Sequence, residues 1–181
     1  EIRSRGLGDV YKRQERIPRD YYPTPYEAVL PLIPHLPQKP FSYAEPCAGD
    51  GRLISHLAKH GGDVRYAYDL EPRSEWVKEA DALTQGYTQC EYIITNPPWN
   101  RKILHPMIEH FADFKPTWLL FDADWIHTKQ SIPYLTMLKK VVSIGRVKWI
   151  EGTKSVGKDN CCWYLFHNTQ MVKPIEFWGR N

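Results

Sequence analysis

Strand-like and helix-like segments alternate along this chain, and the alternation restricts the folds open to it. FSYAEP has the composition of a strand, GRLISHLAKHG that of a helix closed by glycine, and DVRYAYDL that of a second strand. The order continues with the strands CEYIITNPP and TWLLFDADW and the helices KILHPMIEHF and SIPYLTMLKK. Such alternation predicts an α/β fold in which a mostly parallel sheet carries helices on both faces.

The two ends of the pattern differ from its middle. The apolar segments VVSIGRVKWI and CCWYLFH flank the polar loop EGTKSVGKDN and predict a closing antiparallel hairpin, so the sheet should be mixed. Between Asp69 and Cys90 there is little room for a full helix and a full strand, so WVKEADAL predicts one short strand. Prolines between Pro18 and Pro46 predict an extended lead-in, with a short helix starting near Tyr26.

A glycine turn joins the first strand to the first helix in EPCAGDGRL. Gly49 and Gly51 permit positive φ and close approach of a ligand, and the new helix offers unpaired N–H groups. Asp69 ends the next strand 20 residues after Gly49, a spacing at which an acidic side chain meets ribose hydroxyls. Glu45 and Asp50 favour a ligand with a positive charge, and no Walker-type lysine is present. The pattern predicts a nucleoside site, although a structural turn and a helix-capping Asp69 remain open from these residues alone.

Asn96, Pro97, Pro98 and Trp99 directly follow the strand-like segment EYIIT. They should lie at the same sheet edge as the glycine turn, because parallel strands end on one edge. The prolines make the segment stiff and unable to continue strand pairing. The Asn96 amide oxygen and the Pro97 carbonyl can accept hydrogen bonds from one exocyclic amino group, and Trp99 can stack on a planar ring. The segment predicts a pocket for a flat aminated heterocycle or amide; the structural alternative is a turn with Trp99 in the core.

Composition sets few further limits. The 181 residues suffice for one domain with a core, and no apolar run approaches a membrane span. No secretion signal is evident, so we expect a cytoplasmic protein.

The cysteines lack a Cys-x-x-Cys pair and the histidines are scattered, which predicts no metal site. Asp122 and Asp124, at the end of another strand, are expected to cap the next helix rather than to border the cleft.

Residues 1–14 look foreign to the protein, because DVYKRQ resembles the translation of a transposon end used in preparing sequencing libraries. A genuine basic tail is the alternative. We therefore expect a non-native leader at 1–14 and a single domain at 15–181. The leader carries four Lys or Arg against two Asp or Glu, which is +2 of the total +3. Net charge thus gives little support for a nucleic-acid partner.

Together these residues resemble the S-adenosylmethionine-dependent amino-methyltransferases, and within them the small phage-type N6-adenine DNA methyltransferases with gamma-like motif order. EPCAGDG is similar to the cofactor motif, YDLEP to the ribose-binding strand end, DAL to the contact with the cofactor adenine and NPPW to the catalytic motif. YYPTP is similar to the N-terminal motif that packs on the methionine end of the cofactor. The resemblance implies a Rossmann-like class I methyltransferase fold with a mixed, mostly parallel seven-stranded sheet. It implies cofactor contacts by Thr24, Pro25, Glu45, Ala48, Gly49, Asp69, Asp81 and Ala82, and base contacts by Asn96, Pro97, Pro98 and Trp99.

The activity that the resemblance implies is transfer of a methyl group from S-adenosylmethionine to the N6 amino group of adenine in DNA, without a metal or a membrane. The adenine would be flipped out of a duplex or already single-stranded. N4-cytosine DNA, RNA adenine and protein glutamine methyltransferases use related motifs and stay open, as does an inactive cofactor-binding nucleic-acid module. YYPTP and Trp99 favour DNA adenine.

One departure from the family concerns target recognition. Members with defined site specificity carry a separate target-recognition domain, and we expect none here. Sequence preference would then come from short loops, most of all Gly152 to Asn160. Lys154 and Lys158 in that loop could touch phosphates, or could simply belong to a solvated hairpin tip.

Overall fold

The computed structural model of the protein describes residues 21–171 and 173–180. The leader predicted at 1–14 lies outside the described residues. The strands are β1 (Phe41–Glu45), β2 (Gly62–Asp69), β3 (Lys78–Glu79), β4 (Tyr92–Thr95), β5 (Thr117–Asp122), β6 (Leu138–Arg146), β7 (Asn160–Phe166) and β8 (Glu176–Trp178), and the α-helices are α1 (Tyr26–Val29), α2 (Arg52–Ala58) and α3 (Arg101–Phe114).

The strands form one mixed sheet in the order β3-β2-β1-β4-β5-β7-β6-β8. The first five strands in this order pair in parallel, and β8 is parallel to β6. β7 runs antiparallel to both of its neighbours, β5 and β6. The predicted mixed, mostly parallel sheet and its antiparallel hairpin are therefore confirmed. Because only β7 is reversed among the described strands, the other strands all end at one edge of the sheet.

Both faces of the sheet are covered, and β5 shows why. Its side chains alternate with period two: Trp118 and Leu120 pack in one cluster with residues of α1 and α2, whereas Leu119 and Phe121 pack in another with α3. All four are at most 1% exposed. Burial of one such side chain contributes roughly 1.5–3 kcal/mol. The predicted helices on both faces are confirmed.

Two expectations about the sheet and its connections were wrong. The sheet has eight strands rather than seven, because the exposed three-residue strand β8 pairs with β6; so short a segment carries no periodic signal. The segment SIPYLTMLKK is not an α-helix: a 3₁₀ helix covers Lys129–Tyr134, and β6 has already begun at Leu138. Pro133 lacks the N–H that a continuing helix needs, and Leu138 is buried in pairing with Phe166.

The helices α1 and α2 are short, with four and seven residues, whereas α3 has 14. Helix α3 is amphipathic and turns Leu104, Ile108 and Phe111 toward the sheet. Within the ranges described above, no helix combines the length and the apolar character needed to cross a bilayer.

Candidate active site

A cavity of about 550 Å³ opens at the carboxyl ends of β1, β2 and β4. Its walls come from the segment before α1, the turn between β1 and α2, the end of β2 and the segment after β4. We call it the principal cavity. Two-thirds of the site residues predicted from the sequence line it: Thr24, Glu45, Ala48, Gly49, Asp69, Ala82, Asn96 and Pro98.

Four predicted residues do not line the principal cavity. Asp81 caps the 3₁₀ turn Ala82–Thr84, with its Oδ1 accepting a hydrogen bond from the Leu83 N–H at 2.9 Å. Pro25 stands at the start of α1. Pro97 is buried, and Trp99 is half-buried beside the cavity. The structure thus divides the predicted residues between a cavity wall and the framework behind it.

Asp69 and the glycine turn, two separate features of the sequence, are in direct contact. Asp69 Oδ2 accepts a hydrogen bond from the Gly49 N–H and Oδ1 accepts one from the Glu71 N–H, each at 2.8 Å. Gly49 and Gly51 have φ of +54° and +81°, which the sequence predicted from the turn. A carboxylate has about four acceptor positions. Asp69 therefore keeps acceptor capacity for ligand hydroxyls while it fixes the turn.

Aromatic rings cover this turn, and sequence reasoning missed them. A Cβ added to Gly49 would lie 2.6 Å from Tyr21 Cε2, and one added to Gly51 would collide with the Trp76 ring. The Arg73 guanidinium lies 3.7 Å from the centroid of the Tyr21 ring, a cation–π contact. Tyr21 and Arg73 also line the principal cavity. The glycines are thus required by neighbouring rings as well as by their own φ angles, which no local pattern could reveal.

Glu45 lines the principal cavity although only 1% of its surface is exposed. Burial disfavours the charged form and raises the pKa of its carboxyl to about 8, and the negative charge of Asp69 also acts to raise it. Glu45 is therefore largely protonated at neutral pH, and a ligand cation beside it would favour the ionised form. Among residues 21–171 and 173–180, no cluster of three or more His, Cys, Asp or Glu is arranged to hold a metal.

Asn96 joins the N-terminal segment to the end of β4. Its Nδ2 donates to the Tyr22 carbonyl at 3.3 Å and to Thr24 Oγ1 at 3.2 Å. Its Oδ1 accepts a hydrogen bond from the Trp99 indole N–H at 3.3 Å. Because a carbonyl needs a donor and an indole needs an acceptor, these partners fix the orientation of the amide. Oδ1 keeps a second lone pair for a ligand amino group.

Trp99 is held in place by polar and aromatic contacts. Its N–H also donates to the Leu120 carbonyl at 3.1 Å. Its ring lies edge-to-face with that of Trp149, with centroids 5.7 Å apart, and Tyr22 packs on Trp149 at 6.1 Å. Trp149 belongs to the loop between β6 and β7, and sequence reasoning assigned it no role. The aromatic cluster beside Asn96 is therefore assembled from three distant segments.

Asp122 supports the same region, and the expectation that it caps a helix was wrong. Its side chain makes no capping hydrogen bond. Both of its carboxylate oxygens accept from Arg101 Nη2, at 2.7 and 3.0 Å, while Arg101 Nη1 donates to the Trp99 carbonyl at 3.3 Å. A nearby cation satisfies a carboxylate better than a weak cap does. Asp122 thus ties the end of β5 to the segment that carries Trp99.

Comparisons with known proteins agree on the fold. No family model matches this sequence. The type II methyltransferase M.VspI of Vibrio sp. (strain 343) is 25% identical over 142 residues, covering 62% of this chain and 34% of that protein. The chain therefore spans about a third of the length of this curated relative.

Solved structures extend the comparison. A candidate RNA methyltransferase from Pyrococcus horikoshii is similar with a TM-score of 0.62 at 13% identity, over 81% of this chain and 85% of the other. A TehB-like SAM-dependent methyltransferase from Corynebacterium glutamicum is similar with a TM-score of 0.52 at 15% identity, over 81% and 89%. Together with the strand order, these likenesses show that the chain has the Rossmann-like class I methyltransferase fold.

Proposed function

We propose that this chain transfers a methyl group from S-adenosylmethionine to the exocyclic N6 amino group of adenine in DNA. The observation that carries the proposal is the position of Asn96: its amide lines the same cavity as Glu45 and Asp69. A hydrogen-bond acceptor for an amino group and two acidic side chains therefore line one cavity. The likeness to a type II methyltransferase supports the same function.

The principal cavity suits the proposed cofactor. When bound, S-adenosylmethionine supplies a methyl group on a positively charged sulfur, which makes that methyl carbon electrophilic. Asp69 would accept hydrogen bonds from the ribose hydroxyls, since its oxygens keep free lone-pair positions. Glu45 would ionise next to the ammonium of the methionine portion, because a nearby cation offsets the cost of a buried carboxylate. Both side chains line the principal cavity.

Asn96 would act on the adenine. Its Oδ1 would accept a hydrogen bond from the N6 amino group, which orients the nitrogen lone pair toward the methyl carbon. The new N–C bond forms as the S–CH3 bond breaks and its electron pair stays on sulfur; the nitrogen then loses a proton to solvent. This chemistry depends on positioning and on fixed dipoles rather than on a general base. The stiffness of Pro97 and Pro98, which directly follow Asn96, limits the motion of this acceptor.

The target base has to leave its helix to reach Asn96. Flipping costs a few kcal/mol of unstacking and unpairing, and aromatic stacking on a base is worth about 1–3 kcal/mol. The rings of Trp99 and Trp149 beside Asn96 would recover part of that cost. A single-stranded adenine avoids the cost of unpairing, so we expect faster methylation of single-stranded than of duplex DNA.

The direct test is product analysis. The protein is incubated with S-adenosylmethionine and unmethylated DNA, the DNA is digested to nucleosides, and methylated nucleosides are identified by mass spectrometry. N6-methyladenine supports the proposal. N4-methylcytosine, methylation of RNA alone or methylation of a protein glutamine would each overturn the proposed substrate. Cofactor binding without transfer to any of these would identify an inactive binding module instead.

Asn96→Ala tests the proposed role of the amide. Loss of an acceptor used only in the transition state should lower kcat by about 10²-fold or more, with the dissociation constant of S-adenosylmethionine nearly unchanged. Asn168→Ala is the control, because Asn168 bonds to Asp113 on the exposed surface. Equal losses in kcat and in cofactor affinity for Asn96→Ala would contradict the assigned role.

A further inference from the structure

A second cavity, of about 500 Å³, lies at the carboxyl end of β6. Three basic side chains line it, those of Arg146, Lys148 and Arg180, together with one carboxylate, Glu27. We call it the basic cavity. Among the described residues, no carboxylate forms a salt bridge with any of these three cations. Its lining therefore carries three positive charges against one negative, and these cations are available to an anion.

The end of β6 and the residues that follow it form one basic side of this cavity. From Arg146 to Trp149 exposed and more deeply buried residues alternate. Val147 and Trp149 pack toward the core, whereas Arg146 and Lys148 are exposed. The Gly157 N–H donates to the Val147 carbonyl at 2.8 Å, which closes the loop on itself. Arg146 and Lys148 thus line the cavity from a segment that is anchored by its buried side chains.

Arg180 reaches the cavity over a glycine. Gly145 has φ of +74°, and a Cβ there would lie 2.8 Å from Arg180 Nη1 and 3.1 Å from its Cζ. The absent side chain leaves the space in which the guanidinium lies. Guanidinium groups bind phosphate oxygens through paired N–H donors, and two of them with a lysine match a phosphodiester better than a neutral ligand.

The basic cavity lies next to the principal cavity. β6 is parallel to β5, so both cavities open at the same sheet edge. Thr24 lines the principal cavity and Glu27 the basic cavity, and three residues of chain span at most about 11 Å. Lys148 is followed directly by Trp149, which packs on Trp99. One extended ligand can therefore touch both.

We propose that the basic cavity binds a backbone phosphate of the polynucleotide strand whose adenine enters the principal cavity, with Arg146, Lys148 and Arg180 as the phosphate-binding residues. This inference rests on the proposed function. Phosphate contacts fix the register of a strand without reading its sequence. The basic cavity would thus set the distance between an anchored phosphate and the reacting base, and the exposed tip lysines Lys154 and Lys158 would contribute little.

The test measures binding of a single-stranded, adenine-containing oligodeoxynucleotide across a series of salt concentrations. Arg146→Gln and Lys148→Gln should each weaken binding, and the slope of log K against log salt should fall in magnitude by about 0.7 for each phosphate that the variant no longer neutralises. Lys39→Gln is the matched control, since Lys39 is exposed just before β1, at the opposite edge of the sheet. Unchanged affinity for S-adenosylmethionine in all variants shows that they are folded.

A phosphate scan gives a second readout. One linkage near the target adenine, replaced by a neutral methylphosphonate, should weaken binding to the unaltered protein more than binding to Lys148→Gln, because the variant has already lost one of the three ionic interactions with that phosphate. An unaltered salt slope in the cavity variants, or a weakening confined to Lys154→Gln and Lys158→Gln, would overturn the inference. So would saturable binding of inorganic phosphate that does not compete with the oligonucleotide.

Failure of the proposed function gives a different pattern. If the unaltered protein neither binds nor methylates any oligonucleotide, the proposed substrate class is wrong whatever the variants do. If it methylates DNA while Arg146→Gln and Lys148→Gln bind with the full salt slope, only the basic cavity has been misassigned.

Discussion

Asn96 Nδ2 donates a hydrogen bond to Thr24 Oγ1 at 3.2 Å, across 72 residues of chain. Thr24 is only 4% exposed, so its hydroxyl has little access to water. The bond fixes the amide in the orientation that leaves Oδ1 available as an acceptor. The N-terminal segment YYPTP therefore bears on the proposed base site as well as on the cofactor side of the cavity.

Thr24→Val should lower turnover. The substitution keeps the shape of the side chain but removes the acceptor for Asn96 Nδ2, and a net hydrogen bond is worth about 1 kcal/mol. We expect kcat to fall by about 5- to 10-fold. Thr24→Ser retains the hydroxyl and should retain most of the activity, and Thr169→Val, at an exposed position, is the neutral control. Equal activity of the serine and valine variants would refute this role.

Stability should fall as pH rises from about 5 to about 8. Glu45 has a pKa raised to about 8 by burial, whereas an unfolded chain ionises glutamate near its ordinary pKa of about 4.3. Between these values the unfolded state binds fewer protons, so the free energy of unfolding decreases with pH, by at most about 1.4 kcal/mol per unit. Urea denaturation at several pH values measures this decrease in the free energy of unfolding.

Glu45→Gln is the control for this pH effect. Glutamine cannot ionise, so the variant should lose the decline and be more stable than the unaltered protein near pH 8. A saturating ligand that carries an ammonium group should also flatten the profile, because it stabilises the ionised carboxyl in the folded state. A decline that persists unchanged in Glu45→Gln would mean that another group causes it.

Local patterns in the sequence were sufficient to predict most of the strands and which residues lie at the carboxyl edge of the sheet. The apolar run in TWLLFD predicts β5, and Gly49 and Gly51 predict a turn with positive φ. Contacts between distant segments were not predictable. The rings that cover the glycines and the hydrogen bond from Asn96 to Thr24 join segments far apart in the chain, and periodicity records nothing of such pairings.

Asp122→Asn should lower the stability of the protein and hold Trp99 less firmly in place. The Asp122 and Arg101 side chains are 16% and 27% exposed, so the pair is only partly screened by solvent. Removal of the charge leaves a partly buried guanidinium with a weaker partner, and we expect a loss of about 1–2 kcal/mol. Asp63→Asn is the control, because its pair with Arg65 is more than half exposed and should contribute less than about 1 kcal/mol. Thermal unfolding of the two variants compares them, and equal shifts would argue against a special role for Asp122.

Gly49→Ala should weaken cofactor binding through two separable effects. A φ of +54° costs an alanine roughly 1–2 kcal/mol, and its Cβ would lie 2.6 Å from Tyr21 Cε2. Gly152→Ala isolates the first effect, because Gly152 has φ of +76° with nothing within 4 Å of an added Cβ. Adding Tyr21→Ala to Gly49→Ala should relieve the clash but not the backbone strain. Unfolding free energies give the strain, and dissociation constants for S-adenosylmethionine show how far the displaced turn disturbs the cavity. If Gly49→Ala is no worse than Gly152→Ala in both measurements, the Tyr21 ring does not restrict the turn.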